Sequence, residues 1–333
     1  MVAGGFTRGF TGVLLTVVAS VCVLPETAGA AVKRVAADDG AKITGEHWID
    51  ARTVDLTVSS PALGASVPVR VLVPRGWSRS ARKSWPVVYA YHGGRDTYVS
   101  WTRSTDIAKV AASWDVMVVM PDTGWAGWFT DWWNGGKRGK PKWETFHTSE
   151  LLQLMQRNYR AGTRRATMGV SSSGYGAVKY AARHPGMFKY AVSLSGVLHL
   201  TQTGVPALVM FEASEKYDPF RIWGIPGIDD KNWKANDPYV LAAKLKGTGL
   251  YLASGLTGLP GPNDPTGGKE PVELQEVVCG ATTVSLVNRL RKLHIPVTAH
   301  IYQKGYHDWS TWQPEMHTAW PLMMKALTAK KLG

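Results

Sequence analysis

The sequence predicts an α/β fold, with a mostly parallel central sheet covered by helices on both faces. Two observations carry that expectation. Short and almost wholly apolar runs at Pro86–Tyr91, Val116–Met120, Ala166–Val170 and Tyr190–Ser193 read as strands buried on both sides, as parallel strands are. Segments with helical spacing of apolar residues stand between them, and that alternation calls for crossover units. The chain has 333 residues, 44% of them hydrophobic, and about 300 residues are enough to bury one large α/β core.

The N-terminus is set apart from the fold. Arg8 precedes an apolar run from Phe10 to Leu24, and Ala28-Gly29-Ala30 ends in an A-x-A pattern. Residues 1–30 therefore read as a secretory signal peptide cleaved after Ala30. The rival is an uncleaved anchor, but the run is shorter than the about 20 apolar residues of a membrane span. Val21 precedes Cys22 where a lipoprotein signal needs a small residue, so no lipid anchor is read. The expected location is extracellular or at the cell wall. Residues 31–50 read as a loose lead-in and residues 51–333 as a single catalytic domain.

Within that domain, Val54–Val58 and Val67–Val73 read as an antiparallel entry pair of strands. Strand Pro86–Tyr91, a helical pattern at Thr105–Trp114 and strand Val116–Met120 follow. Thr148–Arg157 is expected to be helical, with Thr148 or Ser149 as N-cap and Glu150 in the first turn. Strand Ala166–Val170 leads into helix Ser173–Arg183, and then comes strand Tyr190–Ser193. Leu241–Lys246, Leu250–Ala253, Thr283–Leu293, Val297–Tyr302 and Pro314–Ala329 continue the pattern. Two stretches are long and irregular: Asp122–Trp143, rich in Trp, Gly and Lys, and Ser254–Val272, rich in Gly and Pro. Both fall at expected C-terminal ends of strands, where open α/β sheets bind ligands.

The formal net charge is +13. Removal of residues 1–30 takes away one Arg and one Glu and leaves it unchanged. A basic balance of this size suits association with cell-wall polymers or other anionic surfaces. The Lys and Arg residues are scattered and the chain reads as exported, which argues against nucleic acid as a partner. Cys279 alone remains after residue 30, so no internal disulfide is available and the core must hold the fold.

The chemistry centres on Ala166-Thr167-Met168-Gly169-Val170-Ser171-Ser172-Ser173-Gly174. A strand enters, a serine sits on a tight turn and a helix leaves, which is the arrangement of a nucleophile elbow. Gly169 supplies the small residue before Ser171. Ser173, followed by Gly174, stands where the last glycine of G-x-S-x-G is usual. A serine hydroxyl needs a base. The base should follow the last strand, and Lys304-Gly305-Tyr306-His307-Asp308-Trp309 directly follows Val297–Tyr302. His307 is thus the candidate, ahead of His92, His147 and His199. An acid to orient it should come after strand Leu250–Ala253, and Asp264, Glu270, Glu273 and Glu276 all qualify. The oxyanion hole needs two N–H donors. Ser172 is one candidate. Gly94, or else Gly93, in His92-Gly93-Gly94-Arg95 is the other. This set predicts the α/β-hydrolase fold, with no metal or organic cofactor required. Among the fifteen tryptophans, Trp125, Trp128, Trp132 and Trp133 crowd one Gly-rich loop. They suggest an apolar acyl slot or a sugar platform, with Trp132 as the substrate-contacting member.

These motifs together resemble the secreted mycolyltransferases of the antigen 85 group and their actinobacterial esterase relatives. The likeness runs from about Val54 to Leu327. It rests on Lys142-Trp143-Glu144-Thr145-Phe146, Thr148-Ser149-Glu150-Leu151, the Gly169–Gly174 elbow, Asn236-Asp237-Pro238, and Gly305-Tyr306-His307-Asp308-Trp309 with Trp312. The resemblance implies a Ser–Glu–His triad of Ser171, Glu276 and His307, with Asp264 in reserve as the acid. It also implies that Arg95 and Trp309 border the substrate. His92 stands where that family has an acidic residue that helps bind trehalose, which argues against a dedication to trehalose.

The expected function is a secreted serine esterase or acyltransferase working through an acyl-enzyme on Ser171, acting on an acyl ester or glycolipid with water or a sugar hydroxyl as acceptor. The alternatives are a short-chain polysaccharide deacylase-type carboxylesterase and a non-catalytic binding protein on a hydrolase scaffold.

Overall fold

The computed structural model describes residues 1–2, 4–5, 34–264 and 272–332. Most of the proposed signal sequence, Glu270 and part of the Ser254–Val272 stretch lie outside the described residues. Nine strands form one sheet: β1 (Lys42–Trp48), β2 (Thr53–Ser60), β3 (Ala65–Leu72), β4 (Trp85–Tyr91), β5 (Met117–Pro121), β6 (Ala161–Val170), β7 (Tyr190–Leu194), β8 (Gly249–Gly255) and β9 (Thr298–Tyr302). Their order across the sheet is β1-β2-β3-β5-β4-β6-β7-β8-β9. The first three strands and the β3–β5 pair are antiparallel, and from β5 to β9 every pair is parallel.

The helices are α1 (Ser100–Ser104), α2 (Ile107–Ala112), α3 (Trp143–Thr145), α4 (Leu151–Tyr159), α5 (Ser172–Arg183), α6 (Val205–Ser214), α7 (Phe220–Trp223), α8 (Asp230–Ala235), α9 (Leu274–Lys292) and α10 (Trp309–Ala326). Strand β4 shows why two helical layers are needed, because all seven of its residues are buried. Val87, Tyr89 and Tyr91 point into the core shared with α4 and α5, whereas Val88 and Ala90 point into the core shared with α2 and α10. Strand β8 divides in the same way. Leu250 and Leu252 meet α5 and α9, while Tyr251 and Ala253 meet α10. The α/β-hydrolase expectation is met in both the mostly parallel sheet and its two-sided cover.

Two local expectations are corrected. The lead-in is not loose throughout, since Lys42–Trp48 forms edge strand β1 against β2, with a register shift between Ile43 and Gly45. That irregularity breaks the period-2 pattern by which a strand is recognised. The helix expected to start at Thr148 starts earlier, at Trp143, and passes through a π-helical turn at Phe146–Glu150 into α4. Glu150 is therefore no first-turn acid. Its buried carboxylate accepts from Ser60 Oγ at 2.5 Å and Ala62 N at 2.7 Å, which ties this helix to the end of β2.

Glu144 has a second buried duty. Its carboxylate meets Lys179 Nζ at 2.8 Å, Arg183 Nε at 2.7 Å and His184 Nε2 at 2.8 Å, and so clamps α3 to α5, the helix that follows Ser171. Burial opposes the charged form of Glu144, but Lys179, His184 and Arg183 outweigh it and hold the carboxyl well below its ordinary 4.5. The unfolded chain thus takes up this proton first, so the contribution of Glu144 to stability is complete above 4.5 and is lost as pH falls below it. Glu144→Gln is expected to cost about 3–5 kcal/mol at neutral pH, because it leaves a fully buried Lys179 without its counterion. Thermal unfolding at neutral and acidic pH checks both points: the variant should unfold at lower temperature and show a shallower loss in acid.

Candidate active site

The site forms where β4, β6, β8 and β9 end. Strand β6 runs into Ser171, which sits at φ 56° and ψ −129°, a strained backbone for a residue with a Cβ. The turn is tight because β6 and α5 nearly touch. A Cβ on Gly169 would lie 2.3 Å from the Ser173 carbonyl oxygen. Ser173 is more than a small filler. Its hydroxyl accepts from Val170 N at 2.8 Å and reaches the carbonyls of Tyr91 and Val170, each at 2.8 Å, which knots the turn to the end of β4.

His307 stands on the loop between β9 and α10. Its Nδ1 lies 2.7 Å from Glu276 Oε2, and Glu273 Oε2 accepts from its backbone N at 2.6 Å. Glu276 is fully buried in the first turn of α9. Its other oxygen, Oε1, accepts from Ser195 Oγ at 2.9 Å, Ser254 Oγ at 3.0 Å and Gly255 N at 2.6 Å. Close packing of α9 on β8 sets this placement, since a Cβ on Gly280 would fall 2.0 Å from the Gly255 carbonyl oxygen. Trp312 Nε1 donates to Ser195 Oγ at 3.0 Å, and its ring meets the His307 imidazole edge-on at 5.0 Å. Asp264 is placed differently. It accepts from Gly261 N at 2.6 Å, Tyr306 N at 2.9 Å and Ser310 Oγ at 2.5 Å, and so holds the loop that carries His307. Asp308 caps α10 by accepting from Trp309 N at 2.6 Å.

A cavity of about 400 Å³ opens over these residues, and Ser171, Ser172, Gly93, Gly94, His307 and Gln275 line it. Ser171 and His307 are not hydrogen-bonded to each other. His307 Nε2 is buried without a partner among the described residues, while Gln275 Nε2 donates to Ser171 Oγ at a long 3.5 Å.

His92 explains the shape of the Gly93-Gly94 loop. Its Nδ1 lies 2.7 Å from Gly93 O and its Nε2 is 3.0 Å from Thr123 N. These partners make Nδ1 a donor to Gly93 O and Nε2 the acceptor from Thr123 N, with Asp122 Oδ1 at 3.4 Å from Nε2. The carbonyl of a trans peptide points opposite to the next N–H. Anchoring Gly93 O on the buried His92 therefore turns the Gly94 N–H away from His92. Neither this N–H nor that of Ser172 has a protein acceptor among the described residues.

The remaining candidates divide. Arg95 and Trp309 both line the cavity, Arg95 paired with Glu215 and Trp309 packed edge-on against Trp101 at 5.0 Å and Trp312 at 5.2 Å. Trp132 does not reach the cavity. Its ring is buried against Tyr217, and its Nε1 donates to Gly127 O at 3.2 Å. Of the four clustered tryptophans only Trp128 borders the cavity; Trp128 and Trp132 are buried in the core, while Trp125 and Trp133 are half-buried. His147 is wholly buried between Tyr180 OH and the Asp122 carbonyl, and burial lowers its pKa to about 4. His199 stacks on Tyr239. Cys279 is buried, which pushes its thiol up. Among the described residues, no three His, Cys, Asp or Glu side chains are grouped to hold a metal ion.

Sequence reasoning missed one wall of the cavity. Helix α6 supplies Leu208, Val209, Phe211 and Glu212, and Gln275 of α9 completes the rim. The signal was Gly204-Val205-Pro206, since a proline in the first turn is a helix-start mark.

Comparison with known proteins agrees with this architecture. The family described as "Putative esterase" matches residues 60–323. The diacylglycerol acyltransferase/mycolyltransferase Ag85B of Mycobacterium leprae is 29% identical, over 82% of this chain and 84% of its own. An esterase of Mycobacterium tuberculosis is 27% identical, over 80% of this chain and 58% of its own. The crystal structure of MPT51 of Mycobacterium tuberculosis superposes with a TM-score of 0.68 at 23% identity, covering 84% of this chain and all of that one, and shares the fold.

Proposed function

The chain belongs to the esterase family, and we propose that it is a serine ester hydrolase or acyltransferase that works through an acyl-enzyme on Ser171. The observation that carries this reading is the pairing of Glu276 Oε2 with His307 Nδ1 at 2.7 Å, which leaves His307 Nε2 free in the cavity that Ser171 lines.

Ser171 Oγ turns from Gln275 toward His307 and attacks the ester carbonyl carbon as Nε2 takes its proton. Glu276 holds the proton on Nδ1 and stabilises the imidazolium. The oxyanion rests on the N–H groups of Gly94 and Ser172, helped by the positive N-terminal end of α5. The carbon–oxygen bond to the alcohol then breaks, and His307 returns its proton to the leaving oxygen. Water or a sugar hydroxyl next attacks the acyl-enzyme and gives its proton to Nε2, which hands it back to Ser171 Oγ. Water as acceptor makes an esterase and a sugar hydroxyl makes an acyltransferase. Arg95 and Trp309 border the substrate in this reading. The donor is an acyl ester or glycolipid, met outside the cell or at the wall by an exported, basic chain.

The test uses a fluorophosphonate and p-nitrophenyl esters of two to sixteen carbons, with and without glucose or trehalose. The chain should be labelled once, and turnover and labelling should both vanish in Ser171→Ala. New acyl-sugar seen by mass spectrometry identifies a transferase, and free acid alone an esterase. Labelling that persists in Ser171→Ala would overturn the assignment of the nucleophile.

A further inference from the structure

Among the described residues, Gln275 is the only side chain in hydrogen-bond contact with Ser171 Oγ, at 3.5 Å. It stands on α9 directly before Glu276. The first turn of that helix therefore holds His307 through Glu276 Oε2 at 2.7 Å and reaches the nucleophile through Gln275. The other polar side chains that line the cavity are occupied or placed elsewhere. Arg95 pairs with Glu215, Asp96 with Arg103 at 2.9 Å, and Asp308 caps α10. Glu212 and the Ser172 hydroxyl lie on the oxyanion side, where a Cβ on Gly94 would be 2.8 Å from Glu212 Oε1 and 3.6 Å from Ser172 Oγ. The Gln275 carboxamide makes no further protein hydrogen bond among the described residues.

Acylation takes this partner away, because the ester oxygen of an acylated Ser171 carries no proton and accepts weakly. The amide is then available when the second nucleophile enters, and its soft terminal torsion lets Oε1 exchange places with Nε2. That nucleophile must give one proton to His307 Nε2. Water has a second proton, and an alcohol does not. We infer that Gln275 is a specificity-determining residue that accepts a hydrogen bond from this second proton at Oε1 and so favours water over a sugar or other hydroxyl as acceptor. This inference rests on the acyl-enzyme reading and deepens it by naming the acceptor. The water oxygen bonds to the acyl carbon as one proton passes to Nε2, while the other stays hydrogen-bonded to Gln275 Oε1. The bond from the acyl carbon to Ser171 Oγ then breaks. Nε2 returns its proton to Oγ, and the second proton leaves in the carboxylic acid. With an alcohol, an alkyl carbon takes the place of that proton and leaves the carboxamide oxygen without a donor.

The test is turnover of p-nitrophenyl butyrate in aqueous methanol. Both acceptors draw on the same acyl-enzyme, so the ratio of methyl butyrate to butyric acid reads the choice of acceptor, whatever the rate of acylation or the fraction of active chain. Methanol is small enough that the size of the acceptor does not decide the result. Gln275→Met keeps the length of the side chain and removes both hydrogen-bonding atoms, and its ratio should exceed that of the wild type by roughly 3- to 10-fold. Gln275→Glu keeps an acceptor oxygen and should stay within about twofold of the wild type. An equal ratio in the wild type and Gln275→Met overturns the inference, and so does an equal rise in Gln275→Met and Gln275→Glu, which would assign the effect to the lost NH₂ group. Fluorophosphonate labelling of every variant, beside Ser171→Ala, separates this from the reading beneath it. Labelling and turnover that persist in Ser171→Ala overturn the acyl-enzyme reading and the inference with it. An unchanged ratio with Ser171-dependent labelling overturns the inference alone.

Discussion

Glu276→Gln is expected to lower kcat by a factor on the order of 10⁴ while the chain keeps its fold. The reason lies in how the four contacts of this carboxylate are shared out. Oε1 faces three donors, from Ser195, Ser254 and Gly255, and Oε2 faces His307 Nδ1 alone. A glutamine has one oxygen and one NH₂ group. The three donors claim the oxygen, so the NH₂ group turns to His307. Nδ1 must then accept rather than donate, and the ring proton moves to Nε2. A histidine protonated at Nε2 cannot take the proton of Ser171. Asp264→Asn is the matched comparison. Asp264 touches the backbone N–H groups of Gly261 and Tyr306 and the hydroxyl of Ser310, not the imidazole. Its amide should change kcat by less than about tenfold, with about 1–2 kcal/mol lost in stability. Steady-state kinetics of the two variants on one p-nitrophenyl ester decide the matter. A large loss in Asp264→Asn with little in Glu276→Gln would overturn the role assigned to Glu276.

The same contrast explains what could be read from the sequence. Residues whose chemistry is tied to a local pattern were legible. Ser171 has a strand before it and a helix after it, and His307 directly follows the last strand. Choice among the acids was not local. Glu276 lies on a helix that starts well before the expected Thr283, and its placement depends on how closely Gly280 lets α9 approach β8. Residue spacing contains no such distance. The tryptophan loop misled for a related reason. Composition marks Trp125, Trp128, Trp132 and Trp133 as large and apolar, but not whether the backbone carries them outward to a ligand or inward to the core. Trp128 and Trp132 turn inward, in a loop whose Phe129 carbonyl accepts from the fully buried Lys179 at 2.6 Å. Helix α6 was missed because its apolar residues run nearly all round it, which leaves little amphipathic period to detect. Glu212, which lines the cavity, went unread with it.

Gly169→Ala is expected to cost more than about 4 kcal/mol, although the change adds a single methyl group. Backbone freedom is not the issue, because Gly169 does not lie at positive φ. Space is. The added Cβ would stand 2.3 Å from the carbonyl oxygen of Ser173 and 2.4 Å from its carbonyl carbon, both backbone atoms that no rotamer change can move. Relief requires the start of α5 to withdraw from β6. Three contacts resist that. The Ser173 hydroxyl is bonded to Val170 N and Tyr91 O at 2.8 Å each. The next residue, Gly174, is already so close to β7 and the turn after it that its own Cβ would lie 2.7 Å from Ser193 Oγ and 3.1 Å from Gly196 Cα. Farther along, Lys179 and Arg183 are held by Glu144. Any withdrawal that succeeded would also release the backbone of Ser171 from its strained conformation and swing its hydroxyl away from His307. Stability and activity should therefore fall together, with a melting temperature lowered by at least about 8 °C and serine-dependent turnover lost in whatever protein remains folded. A Gly169→Ala chain that melts and turns over like the wild type would mean that the approach of β6 to α5 does not set the position of the nucleophile.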